Sequence, residues 1–231
     1  MAKRMALILC AGQGKRMGTD VKKPYLEVCG RPLLTYTLDV FQSDPMVDGI
    51  VLVVNEADCG HCQVEIVQKY DFTKICAVVP GGLERQDSVL QGLRAIGEET
   101  EWIIVHDGAR PLINPETIHK AIAVAERKGA AVVAVRAKDT IKAVRPDLSV
   151  EETLPRHTLW QAQTPQVFRR DEILEAYETA IAKGWIATDD ASLMERMGHE
   201  VYIVEGEYSN IKITTPEDLL FFSMLLKMRC E

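Results

Sequence analysis

Of the 231 residues 47% are apolar, and 27 Lys and Arg stand against 34 Asp and Glu, a formal net charge of −7. That length and apolar share predict one α/β domain over residues 1–231, while the acidic balance excludes general nucleic-acid and anionic-membrane surfaces, which need clustered, uncompensated cations. No run approaches the ~18 apolar residues of a membrane span, the start MAKRMALILCAG has too short an apolar stretch for a secretory signal, and a cytoplasmic protein is expected.

From the N-terminus, MALILC (5–10), GIVLVV (49–54), ICAVV (75–79), WIIVH (102–106) and AAVVAV (130–135) are near-continuous apolar runs, the pattern of strands buried on both faces of a parallel sheet. Between them RPLLTYTLDVFQ, RQDSVLQGLRAIGEE and PETIHKAIAVAERKG carry apolar residues at three and four spacing, with Pro115 near a helix start and Gly129 just past its end. This βαβ series predicts a doubly wound, mostly parallel sheet with ligands at the carboxyl ends of its strands. After residue 136 the rhythm changes. Short β-like pieces around the turn signal RPDLS predict a projecting hairpin arm over 137–159, whose unpaired edges call for cover by a partner subunit. Helical patterns resume in RDEILEAYETAIAKG, DDASLMERMG and a terminal TPEDLLFFSMLLKMR opened by Thr215, Pro216 and Glu217.

The first loop, AGQGKRMG, meets neither standard phosphate motif. Gly12 and Gly14 fit the first two positions of G-x-G-x-x-G, but Met17 occupies the third, and no G-x-x-x-x-G-K-[ST] is present. Its glycines still let backbone N–H groups approach an anion, and Lys15, Arg16, Lys22 and Lys23 crowd around a single acid, Asp20. A triphosphate matches this loop; a glycine turn with a solvated basic face is the plainer reading.

Further along, Gly81, Gly82 and Ser88 in VPGGLERQDSV suit either the edge and sugar of a nucleobase or a tight turn with a first-turn serine. Asp107 in VHDGARP falls at the carboxyl end of a buried strand, where it suits Mg²⁺ shared with phosphates or a loop-tying pair with Arg110, and His106 reads as a packed strand-end histidine. Lys212, between Ile211 and Ile213, is expected in a short strand, Thr164 stands beside Pro165, and Thr188 reads as a helix cap. The six scattered cysteines, Cys10, Cys29, Cys59, Cys62, Cys76 and Cys230, read as reduced thiols. Cys59 and Cys62 form a C-x-x-C, which brings a second class of function into view: thiol–disulfide exchange, if a helix N-terminus lowers a thiol pKa.

The ordered set AGQGKRMG, KKPYLEVCGRPLL, PGGLERQDSVLQGL, VHDGARP, KDTIKAV, LWQAQTPQVF, TDDASLMERMG and VEGEYSNIKITTPEDL resembles the 2-C-methyl-D-erythritol 4-phosphate cytidylyltransferase family of the nonmevalonate isoprenoid pathway over nearly the whole chain. The resemblance implies a nucleotidyltransferase variant of the doubly wound sheet that joins CTP to methylerythritol phosphate with Mg²⁺ and releases pyrophosphate. It implies that Arg16 and Lys23 grip the triphosphate, that Arg156 and Lys212 position the acceptor phosphate, and that Ala11, Gly12, Gly14, Gly82 and Ser88 cradle the nucleotide. Asp107, as metal ligand, and Arg110, with Thr140, Thr164 and Thr188, match metal and acceptor contacts. The arm over 137–159 is implied to reach into the other subunit of a homodimer, with no nucleic-acid or membrane partner.

The chain departs from the family pattern in three places. It reads Cys10-Ala11-Gly12 for AAG, KKPYL for PKQYL and HDGARP for HDAARP. The moved proline leaves Lys22 and Lys23 as candidates; Lys23 is preferred because it lies seven residues after Arg16 and two before Tyr25. Gly108 is expected only to loosen the loop beside Asp107. A ribitol 5-phosphate cytidylyltransferase, a thiol exchanger and a non-catalytic nucleotide sensor are the competing functions.

Overall fold

A computed structural model of the chain describes residues 2–12 and 22–230. The five apolar runs form strands close to the expected limits: Arg4–Cys10 (β1), Gly49–Val54 (β4), Ile75–Pro80 (β5), Trp102–Asp107 (β6) and Ala130–Arg136 (β7). Two two-residue strands, Glu27–Val28 (β2) and Arg31–Pro32 (β3), pair with each other after β1. Lys142–Val144 (β8) and Val150–Thr153 (β9) make the expected antiparallel ribbon, with no pairing to the main sheet.

Two strands of the seven-stranded sheet escape the sequence reading: Trp160–Arg169 (β10) and Tyr202–Glu205 (β11). The order is β11-β7-β10-β6-β1-β4-β5, with β10 antiparallel to β6 and β7 and every other pairing parallel. After β1 the chain winds outward through β4 and β5, then returns to place β6 on the other side of β1. Strand order therefore reverses between β1 and β6, and a crevice opens at their carboxyl ends.

Alternation along the strands builds a core on each face. Ala6, Ile8, Ile50, Leu52 and Ile104 face helices Leu33–Ser43 (α1) and Pro115–Lys128 (α4) and the helical segment that begins with Cys59–Cys62 (α2). Leu7, Val51, Val53, Ile103 and Val105 face Arg85–Arg94 (α3), Arg170–Lys183 (α5) and Asp190–Arg196 (α6). Pro115 and Gly129 punctuate α4 as expected, Asn114 capping it by accepting from Glu116 N. A third cluster seats the last helix, Pro216–Cys230 (α7), through Phe222 on Val28, Leu33, Leu112 and Ile213. No helix among the described residues is long and apolar enough to cross a membrane.

Candidate active site

A cleft of about 770 Å³ lies on the crevice between β1 and β6. Its walls are built at the carboxyl ends of four parallel strands: Leu9–Gly12 at the end of β1, Asn55–Ala57 after β4, Gly81–Arg85 after β5 and Asp107–Ala109 at the end of β6. Lys23 from a 3-10 turn, Lys23–Tyr25, and Lys212 also line it. The structure thus gathers seven of the expected site residues: Ala11, Gly12, Lys23, Gly82, Ser88, Asp107 and Lys212. Lys22 pairs instead with Asp58 at 2.5 Å, which supports the choice of Lys23. Gly14 and Arg16 lie outside the described residues.

Asp107 is the electrostatic centre. Its Oδ2 lies 2.9 Å from Lys212 Nζ and 3.5 Å from Arg110 Nε, and its Oδ1 3.7 Å from Arg85 Nε. Burial alone would raise this carboxyl's pKa, but Lys212, Arg85 and Arg110 outweigh it and hold the group well below the usual carboxylate range. With Asp190, which pairs Arg85, the cluster sets three cations against two carboxylates.

The backbone behind Asp107 is fixed by β10. Register shifts between Ala162 and Gln166 at the cis Thr164–Pro165 bond, and Thr164 Oγ1 accepts from Asp107 N at 3.0 Å. The Thr164 hydroxyl in turn faces His106 Nδ1 at 3.1 Å, and His106 Nε2 faces Arg110 O at 3.2 Å. These contacts assign a neutral His106 with its proton on Nε2. Burial lowers its pKa to about 4, in keeping with the packed strand-end role expected of it. Thr164, only 3% exposed, is thus a support behind Asp107 and does not line the cleft. Arg110 also turns inward, donating from Nη1 to Asn210 O at 2.8 Å.

Lys212 does not sit in a strand: residues 211–214 are irregular. Its position comes from anchored neighbours. Ile213, fully buried, donates its N–H to Ala109 O at 2.8 Å, and Asn210 Nδ2 donates to Gln163 Oε1 and Thr164 O.

On the opposite wall, Ser88 Oγ accepts from Gly82 N and donates to Glu84 O, both at 3.1 Å, so its hydroxyl shapes the glycine turn while the residue lines the cleft. A Cβ at Gly81 would lie 2.4 Å from that of Ala11, so only glycine lets the two strand ends meet. Gly108 corrects its expectation for the same reason. It does not loosen its loop; a Cβ there would fall 2.1 Å from Cys10 Sγ and 3.2 Å from Leu34 Cδ1.

Thr140, Arg156 and Thr188 are exposed and do not line this cleft within the one chain. Arg156 Nη1 donates to Lys138 O at 2.5 Å. The cap of α6 is Asp189, which accepts from Ser192 N, and not Thr188. Arg85 went unrecognised in the sequence. Its one signal is its place in the first turn of a helix, where the dipole disfavours a cation.

The C-x-x-C reading fails on its own premise. Both cysteines lie within α2 as free thiols, and burial pushes Cys62 up to about 12. Burial, with Glu56 and Asp58 nearby, also raises Cys59, the reverse of what an exchanging thiol needs.

The family model for IspD, 2-C-methyl-D-erythritol 4-phosphate cytidylyltransferase, matches residues 4–228. The 2-C-methyl-D-erythritol 4-phosphate cytidylyltransferase of Geotalea uraniireducens is 49% identical over 224 residues, 96% of each chain. That of Alkaliphilus oremlandii is 44% identical over 231 residues, 100% of this chain and 98% of the relative. The crystal structure of 4-diphosphocytidyl-2C-methyl-D-erythritol synthase from Anaerococcus prevotii superposes with a TM-score of 0.88 at 36% identity, covering 98% of this chain and 96% of that one. The chain belongs to the 2-C-methyl-D-erythritol 4-phosphate cytidylyltransferase family.

Proposed function

We propose that this chain transfers the cytidylyl group of CTP to 2-C-methyl-D-erythritol 4-phosphate, giving 4-diphosphocytidyl-2-C-methyl-D-erythritol and pyrophosphate in the cytoplasm. The observation that carries this reading is the meeting of Lys23, Arg85 and Lys212 with Asp107 at the switch point of the sheet. Membership of the family supports it.

An oxygen of the acceptor phosphate attacks the α-phosphorus of CTP in line, and pyrophosphate leaves. Both reactants are polyanions, so the protein's task is to hold them together and to neutralise growing charge, with no acid or base required of it. Lys23, with Arg16, takes the triphosphate; Lys212, with Arg156, takes the acceptor phosphate. The turn over Gly81 and Gly82 leaves room for the cytidine. Such fixed charges act in a cleft already organised by the fold, and each is typically worth about 3 to 4 kcal/mol in the transition state.

Among the described residues no three His, Cys, Asp or Glu side chains are placed to hold a metal ion. Mg²⁺ fits nonetheless, because it is commonly held by one or two carboxylates together with substrate phosphates. Asp107, kept ionised by its cationic neighbours, would be that carboxylate. The bound ion would neutralise triphosphate charge.

Thr140 and Arg156 serve, in this reading, the cleft of a partner subunit, the 137–159 arm joining a homodimer. Their exposure and absence from their own chain's cleft support this assignment. Pyrophosphate release from CTP, measured with methylerythritol phosphate and with ribitol 5-phosphate in parallel, tests the reading. Turnover with the first is expected; turnover confined to ribitol 5-phosphate, or none with either, overturns it.

A further inference from the structure

The guanidinium of Arg85 is held on two sides. Its Nη1 and Nη2 donate to Asp190 Oδ1 and Oδ2 at 2.8 and 2.7 Å, a bidentate pair whose carboxylate is completely buried at the start of α6 and also accepts from Tyr177 OH. Its Nε edge remains, facing Asp107 Oδ1 at 3.7 Å from the wall of the cleft. With both amino groups committed to Asp190, the guanidinium cannot swing out to grip a ligand.

Stapling α6 to α3 is a weak explanation for this arrangement. Gln86, the next residue, already ties α3 to the loop that leads into α6, donating to Trp185 O at 3.0 Å and accepting from Ala187 N at 3.2 Å. A buried ion pair is also a poor way to gain stability, because desolvating Asp190 offsets most of the attraction. What the pair does uniquely is hold a cation at one point of the cleft wall. There it acts on the carboxylate oxygen that Lys212 and Arg110 leave free, since both of those lie against Oδ2.

We propose that Arg85 is a positioning residue for the transfer: braced by buried Asp190, it locks the rotation of the Asp107 carboxylate and thereby fixes the Lys212 ammonium that shares it. This deepens the cytidylyl-transfer reading and rests on it. Without Arg85, Asp107 is held through one oxygen only, and Lys212 follows it as it turns. The loss then falls on the step in which charge moves, because Lys23 and the glycine turn, which receive the nucleotide, are untouched.

Two double variants separate positioning from folding. Arg85→Gln with Asp190→Asn removes one charge of each sign and keeps hydrogen-bonding groups, so no buried charge is left alone. Arg85→Lys with Asp190→Asn restores a cation beside Asp107. We expect kcat to fall about 100-fold in the first with KM for CTP within about threefold of wild type, and the second to recover at least about tenfold of that loss. Both are assayed well below their own Tm. The inference is overturned if the first retains kcat within about threefold, if kcat across the set follows Tm and not charge, or if the loss appears in KM for CTP alone. An inactive wild type would instead overturn the underlying reading of the function, so the two failures are distinct.

Discussion

Lys22 and Lys23 are adjacent, alike in chemistry and opposite in role: one is spent on Asp58, the other lines the cleft. Lys23→Ala is therefore expected to lower kcat by ~10²–10³ with little change in Tm, if the proposed role of Lys23, a cation supplied to the transition state, holds. A comparable loss in Lys22→Ala, with Lys23→Ala near wild type, would reverse the assignment. His106 carries a second prediction, in pH. Its ordinary pKa of 6.5 is lowered to about 4 by burial, so the folded state resists protonation while the unfolded chain does not. The sign follows: stability is complete above about pH 6.5 and falls steadily as pH drops toward 4, by about 3 kcal/mol from this group. Urea midpoints between pH 7 and 4.5 should show the fall, and His106→Gln should flatten it. Asp107 acts in a separate, lower window: its depressed pKa protects the fold until pH drops below its ordinary value of 3.8.

At the scale of elements, the ends of β1 and β6 are joined by a fit that neither shows alone. Gly108 accommodates the sulfur of Cys10, and an added methyl would collide with it at 2.1 Å. Gly108→Ala should cost about 1–3 kcal/mol by overpacking, and Cys10→Ala in the same chain should return most of it. Additive losses in a double-mutant cycle of denaturation midpoints would show that the two sites are independent. This pairing was hidden in the sequence, where Cys10 and Gly108 were separate departures from the family pattern. Five of the six parallel strands were legible because strands such as β4 and β6 are buried from end to end and read as unbroken apolar runs, whereas β11 buries only Val204 and was missed. β10 was not, since its core-facing stretch contains Gln163, Thr164, Pro165 and Gln166. Those polar groups are buried because long-range partners satisfy them, Gln166 Oε1 accepting from Ala191 N and Gln163 Nε2 donating to Glu207 O, and no local pattern announces such partners. Asp107 was found for the opposite reason: its place at the end of an apolar run is a local fact with a topological meaning.

Taken whole, the molecule divides its expected machinery between a cleft and an exposed arm. Asp107, Lys23 and Lys212 meet inside one chain, while Thr140 and Arg156 stand on the arm away from that cleft's walls. That the arm serves the other subunit's cleft is implied by the family resemblance alone, because a single chain carries no record of its partner. If the arm works in trans, each active site combines Lys23 of one subunit with Arg156 of the other, and two inactive variants can complement. A Lys23→Ala homodimer lacks the lysine at both sites, and an Arg156→Ala homodimer lacks the arginine at both. In a mixed dimer one site collects both defects and the other collects neither. After unfolding and refolding the two variants together at equal amounts, half the dimers are mixed and each has one intact site, so about one quarter of wild-type kcat should return. Mixing without refolding should restore activity only as fast as subunits exchange. If the arm served its own cleft, every site in every dimer would keep one defect, and the refolded mixture would stay as inactive as its parts.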